Sequence, residues 1–167
     1  MVSSDNHNER LFTDFSILSK EGKAFPCHRV VLASQSPVMR AMMTNDMREK
    51  QEDQAIVDRG DEVVGHFVEY FYSRTVPEEA LQANLASFFH LADFYGLAQL
   101  KLITEEAAFG MLSVENMVDL FVLGDLHSAA LKSEAEAFIK RNRKELKGMD
   151  LTTYPPHIIN MLLSLLI

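Results

Sequence analysis

The chain has 167 residues, 47% hydrophobic and 24% charged, with a net charge of −8 and one cysteine, Cys27. That balance lets a domain of ordinary size bury a core without disulfides or structural metal, and a lone thiol excludes an internal disulfide. The acidic excess argues against a nucleic-acid partner, and no apolar run reaches the roughly 18 residues of a membrane span.

The polar start MVSSDNHNER does not read as a signal peptide. The expectation is a soluble protein of the nucleus or cytoplasm whose partners are proteins. From Phe12 to Lys20, Phe15 and Ile17 alternate with polar residues, the period of a half-buried strand. Glu21-Gly22-Lys23 supplies a turn, and Ala24 to His28 returns as a second strand, with Pro26 placing it at an edge. His28 to Gln35 changes to helical spacing, with Val30, Val31, Ala33 and Ser34 clustered on one side. Ser36-Pro37 reads as an N-cap and first-turn proline that open a second helix.

Asp53 to Asp58 holds a short β-prone run, Ala55 to Val57. Asp61 to Ser73 then places Val64, Phe67, Val68 and Phe71 at helical intervals. Asn84 is positioned to cap a helix with Leu85, Phe88, Phe89 and Ala92 inward and Gly96 as its stop, and a further helix is expected from Leu97 to Phe109. Beyond Ser113 no strand signal occurs. Ser113 is expected to cap a helix burying Met117, Leu120, Phe121 and Gly124, and Ser128 to Lys147 reads as one amphipathic helix. After Pro155-Pro156, the residues Ile158, Ile159, Leu162, Leu163, Leu166 and Ile167 end the chain in a helix more apolar than one packing face can bury, with Leu163 a candidate contact. A small sheet covered by helices, followed by helical hairpins, is an α+β arrangement.

Chemistry is hard to place on this chain. Adjacent Cys27 and His28 point to opposite faces of a strand and cannot share a proton. Asp125 with His127, and His90 with Asp93, lack the third ligand or the nucleophile that a metal or catalytic claim needs. The basic run Lys140, Arg141, Arg143, Lys144 and Lys147 has the composition of a nuclear-import or phosphate-binding patch, or of a plain solvated helix face. Phe67, Phe71, Phe88, Phe89, Phe94, Phe109 and Phe121 are expected in the core. No glycine-rich phosphate loop is present, so no cofactor is expected.

One stretch asks for a different reading. TNDMREKQED sets Met47 among polar and charged residues with no apolar neighbour at helical spacing on its C-terminal side. Taken with FTDFSILSKEGKAFPCHRVVLASQSPVMRAMM, EVVGHFVEYFYSRTVP and LADFYGLAQLK, it resembles the BTB (POZ) domain. LSVENMVDLFVLGDLHSAALKSEAEAFI resembles the 3-box, the helical extension that follows this domain in MATH-BTB adaptors of the speckle-type POZ branch. The resemblance implies a BTB/POZ fold over residues 11–110 and a 3-box or BACK-like helical extension over 111–167, with no catalytic residue. It implies a homodimer joined near Leu11, Phe12, Val31, Leu32 and Gln35. It also implies recruitment of the N-terminal domain of cullin-3 into a ubiquitin ligase, through the hydrophobic-x-Glu motif Met47-Arg48-Glu49 with Phe67, Tyr72 and Leu163. Other BTB chains are further candidate partners, and nucleic acid and membrane are not. Three departures stand out: Tyr72-Ser73-Arg74 replaces the usual Tyr-Thr-Gly, polar SSDNHNER replaces an apolar N-terminal helix, and the substrate-reading MATH domain has no counterpart. The competing reading is a BTB dimerisation scaffold, transcriptional or structural, that binds no cullin.

Overall fold

A computed structural model describes residues 10–44 and 52–167. Phe15–Leu18 (β1) and Ala24–Cys27 (β2) form an antiparallel pair that brings Phe15 opposite Cys27 and Leu18 opposite Ala24. Gln54–Ile56 (β3) joins the other edge of β1 in parallel, giving the order β2-β1-β3. A parallel neighbour requires a crossover, and Arg29–Gln35 (α1) and Pro37–Thr44 (α2) lie on it. Alternation then sorts the sheet: Phe15, Ile17, Phe25, Cys27 and Ala55 are buried, while Ala24, Pro26 and Ile56 are exposed. Proline 26 sits on the edge strand, where its missing N–H does no harm.

The corner between α1 and α2 is built by side chains. The Ser36 hydroxyl accepts from the Met39 N–H (3.1 Å) and donates to the Tyr95 carbonyl (2.6 Å), so the expected N-cap also ties α2 down. The N-cap residue of α1, His28, makes no side-chain cap; instead the Asp14 carboxylate accepts the Arg29 N–H at 2.8 Å. An anion beside free helix N–H groups is stabilising, which gives Asp14 a structural task. Within α1 the fully buried residue is Leu32, while Val30, on the side grouped with Val31, Ala33 and Ser34, is 73% exposed. Two turns are too short for periodicity to fix a face.

Asp61–Ser73 (α3) buries Val64, Phe67, Val68 and Phe71 as its spacing predicts, along with Val63 and Tyr70. A short helix that the sequence reading did not separate, Glu78–Ala83 (α4), precedes Leu85–Tyr95 (α5) and Ala98–Met111 (α6). Gly96 ends α5 at φ +67, and a Cβ there would lie 3.0 Å from Pro37, so both conformation and space call for glycine. Leu85, Phe88, Phe89 and Ala92 are buried as expected, but Phe94 and Phe109 are 52% and 40% exposed and leave the predicted aromatic core.

Met117–His127 (α7) starts later than expected. Ser113 does not cap it; the Asn116 side chain accepts from the Ser113 N–H (2.8 Å) and donates to the Met111 carbonyl (2.7 Å), which folds 112–116 into a turn. Ser128 caps Ala129–Arg141 (α8) through the Leu131 N–H. The single helix expected to Lys147 is broken at Asn142, whose amide donates to the Phe138 carbonyl at 2.8 Å, and Arg143–Lys147 (α9) starts anew. Pro156–Ser164 (α10) closes the chain, Pro156 at the first helical position.

The chain divides into two compact units. One comprises the described residues up to Ala80 with Phe94–Leu97; the other comprises Leu81–Asp93 and Ala98–Ile167. In the second, Met117, Val118, Phe121, Ala135, Ile139, Leu146, Ile158 and Leu162 form one buried cluster. No described helix is long and apolar enough to cross a membrane.

Candidate functional site

Met47 and Glu49 lie outside the described residues, but both anchors of their segment are defined. Upstream, α2 ends with the Thr44 hydroxyl donating to the Arg40 carbonyl at 2.8 Å. Downstream, the Asp53 carbonyl accepts the Ser16 N–H at 3.0 Å and its carboxylate pairs with Arg29. In sequence the motif falls between α2 and β3, and Asp53, which follows it among the described residues, is bound to β1 and α1.

The other expected cullin contacts separate. Phe67 is fully buried, its ring 5.2 Å from those of Phe71 and Tyr95, so it is core and presents no surface to a partner. Tyr72 is half-buried and its hydroxyl is engaged inside the chain: it accepts the His28 N–H and meets His28 Nδ1, both at 2.9 Å. Burial pushes this phenol up from its ordinary range. Leu163 is 49% exposed on α10, beside the buried Leu162.

The expected dimer surface divides likewise. Leu11 is 71% and Phe12 93% exposed, and Phe12 adopts φ +59, a left-handed conformation costly for an aromatic residue. Val31 and Gln35 are half-buried, and Leu32, fully buried, is withdrawn from the surface. Val30, which the sequence reading did not place at this surface, is 73% exposed. The N-terminal segment is pinned to this region. His28 Nε2 lies 2.8 Å from the Leu11 carbonyl, which can only accept, so Nε2 carries the proton and Nδ1 of the neutral ring accepts from Tyr72. Arg10 donates to the Pro26 carbonyl, pairs with Glu69 and lies 4.1 Å over the Tyr72 ring.

The pairs with catalytic potential resolve into structural contacts. Cys27 is fully buried, its thiol pushed up to about 12 by burial, and it donates weakly to the Phe15 carbonyl at 3.6 Å. Such a thiol is not a nucleophile at neutral pH, and the His28 ring is occupied elsewhere. Asp93 takes His127 and Lys101, each at 2.7 Å, and Asp125 takes Lys132 at 2.8 Å. The His127 ring stacks on Phe89, with 7° between the planes. Among the described residues no group of three His, Cys, Asp or Glu is arranged to hold a metal.

A scan against family models matches the BTB/POZ domain over residues 4–109, more than half of the chain. The chain belongs to the BTB/POZ domain family. BTB/POZ domains are protein-interaction modules, and the α+β fold, a small mixed sheet under helices with a helical extension, is that of the family. TD and POZ domain-containing protein 4 of Mus musculus is 36% identical over 131 residues, covering 77% of this chain and 35% of that protein. TD and POZ domain-containing protein 5 of the same organism is 35% identical over 131 residues, covering 77% of this chain and 38% of that protein. The chain thus spans little more than a third of these relatives. The BTB domain of human gigaxonin matches with a TM-score of 0.45 and 21% identity, over 64% of this chain and 94% of that one.

Proposed function

We propose that this chain is a homodimeric BTB/POZ adaptor that recruits the N-terminal domain of cullin-3 to a ubiquitin ligase and performs no chemistry itself. Residues 11–110 act as the BTB/POZ domain and 111–167 as its 3-box or BACK-like extension, in a nuclear or cytoplasmic setting that suits a reduced thiol. The reading is supported by the hydrophobic-x-Glu sequence Met47-Arg48-Glu49, which falls between α2 and β3 in a chain of the BTB/POZ family. Methionine is an adaptable apolar knob for a partner's pocket, and Glu49 supplies a carboxylate that orders the connection or meets a partner's donor. The half-exposed Leu163 offers a second contact on the extension.

Titration calorimetry against the cullin-3 N-terminal domain tests this. Met47→Ala should weaken binding by about 2 kcal/mol, near thirtyfold, with Glu49→Ala acting in the same direction. Leu163→Asp should weaken binding while leaving the melting temperature nearly unchanged. Equal affinities for wild type and the Met47 and Glu49 variants would remove the docking role. The exposed Leu11, Phe12 and Val30 support a second reading, a BTB scaffold that pairs with itself or other BTB chains; a wild-type dimer that binds no cullin would establish it.

A further inference from the structure

Beyond the residues matched by the family model, the corner between α8 and α9 carries a charge pattern that the adaptor reading leaves unused. Lys140, Arg141, Arg143, Lys144 and Lys147 are all exposed, with Glu145 the one acid among them. This stretch of eight residues holds five of the chain's 16 Lys and Arg and one of its 24 Asp and Glu, so the other 11 bases and 23 acids give the remainder a net −12. Elsewhere four bases are matched by acids of their own surroundings, Arg10 by Glu69, Arg29 by Asp53, Lys101 by Asp93 and Lys132 by Asp125. Here one ion pair forms among the described residues, Arg141 with Glu134 at 3.4 Å, and both side chains are at least half exposed. Helix dipoles at the ends of α8 and α9 account for a cation or two, not for five.

The corner is also built rather than frayed. Asn142 returns its backbone N–H to Phe138 and Ile139 and its side-chain amide to Phe138, while Leu146, 1% exposed, roots α9 in the buried cluster. The bases therefore stand on helical backbone, a poor template for a receptor that reads a basic run in extended form.

We propose that this corner docks an acidic, Asp/Glu-rich segment of a partner protein. Arg143 and Lys147 are one helical turn apart, roughly 6 Å between Cβ atoms. Alternate carboxylates on an extended segment recur at about 6.6 Å, so one edge of such a segment meets both. A nucleic acid carries its charge along its whole length and is repelled by a chain whose remaining residues sum to −12, whereas a short acidic segment places charge only where the bases are.

The test is fluorescence anisotropy with the full chain and two labelled probes, an alternating Glu-Ser peptide of about ten residues and a single-stranded oligonucleotide of equal charge, at about 50 and about 200 mM salt. The peptide should bind more tightly than the oligonucleotide and weaken as salt rises. The combined Arg143→Glu, Lys144→Glu and Lys147→Glu variant should lose on the order of tenfold in affinity, from several exposed ion pairs. The matched reversal of the exposed Lys20, Lys23 and Arg74 to Glu should stay within about twofold, since distant exposed charges are screened. Gln variants at 143, 144 and 147 should fall between wild type and the Glu variant. Equal losses in the two Glu variants, or tighter oligonucleotide binding, would overturn the proposal. So would an isolated peptide of residues 138–149 that binds as well as the full chain, which would mark a linear signal instead.

Discussion

Two tyrosines two positions apart on α3 show how one hydroxyl stabilises and another costs. The Tyr72 hydroxyl satisfies the His28 N–H and ring, while the Tyr70 hydroxyl is buried with no hydrogen-bond partner among the described residues. Leaving a buried donor or acceptor unmet costs about 1–3 kcal/mol, so the same deletion should have opposite signs at the two sites. Tyr72→Phe should lower stability by about that amount, and Tyr70→Phe should be neutral or stabilising, as read from denaturant midpoints. Arg74 makes a related case. It ends α3 at φ +62, its N–H on the Tyr70 carbonyl at 2.8 Å, where the family resemblance led to an expectation of glycine. The left-handed conformation costs a side-chain-bearing residue about 1–2 kcal/mol, so Arg74→Gly should raise the midpoint, and an unchanged or lower one would show that the turn carries no such strain.

Between elements, the tightest constraint is the crossing of α7 and α8. A Cβ on Gly124 would stand 2.4 Å from the Lys132 nitrogen and 2.7 Å from its Cα, backbone that cannot step aside. Gly124→Ala should therefore cost about 1–3 kcal/mol, a fall of several degrees in melting temperature, through forced separation of the helices. Asp93 makes the pH-dependent tie between α5, α6 and α7. Burial pushes its carboxyl up, but hydrogen bonds from Lys101 and His127 outweigh this and hold it below the usual carboxylate range. A depressed carboxyl contributes stability that is full above its unfolded pKa of about 3.9 and is lost as pH falls through the lower folded value. Melting temperature should drop below about pH 4 and drop less steeply in Asp93→Asn, a difference that separates Asp93 from Glu115 and Asp150, whose carboxyls are lowered by local hydrogen bonds from Ser113 and Thr152. Longer helices were legible because several turns repeat the same face: Val64, Phe67, Val68 and Phe71 lie where the spacing predicts. What periodicity missed is set by single side chains taking over backbone partners, Asn116 delaying α7 and Asn142 splitting α8 from α9.

At the scale of the whole molecule, apolar surface that the chain itself does not cover is the strongest indication of assembly. This part of the site was only half legible in the sequence, since nothing in a two-turn helix distinguishes Leu32, which serves its own core, from Val30, which does not. Lone exposed hydrophobes are ordinary, but Phe12 is held out at 93% exposure in a strained conformation, and the chain beside it is fastened by Arg10 to Glu69 and by the Leu11 carbonyl to His28. Restraints of that kind hold an apolar patch out to solvent and suit a twofold interface, in which the same patch meets itself. Light scattering at micromolar concentration should report a dimer for the wild type and a monomer for Leu11→Asp combined with Phe12→Asp. Folding should survive, because both side chains are exposed and the hydrogen bond from His28 uses the backbone of residue 11. If Met47 docks cullin-3, the monomeric variant should retain wild-type affinity per protomer, since the exit of the motif's connection is fixed through Asp53 to Ser16 and Arg29 rather than through Leu11 or Phe12. A wild-type chain already monomeric would remove self-association from the proposed function, and a variant that loses both dimerisation and cullin-3 affinity would show that the two surfaces are one.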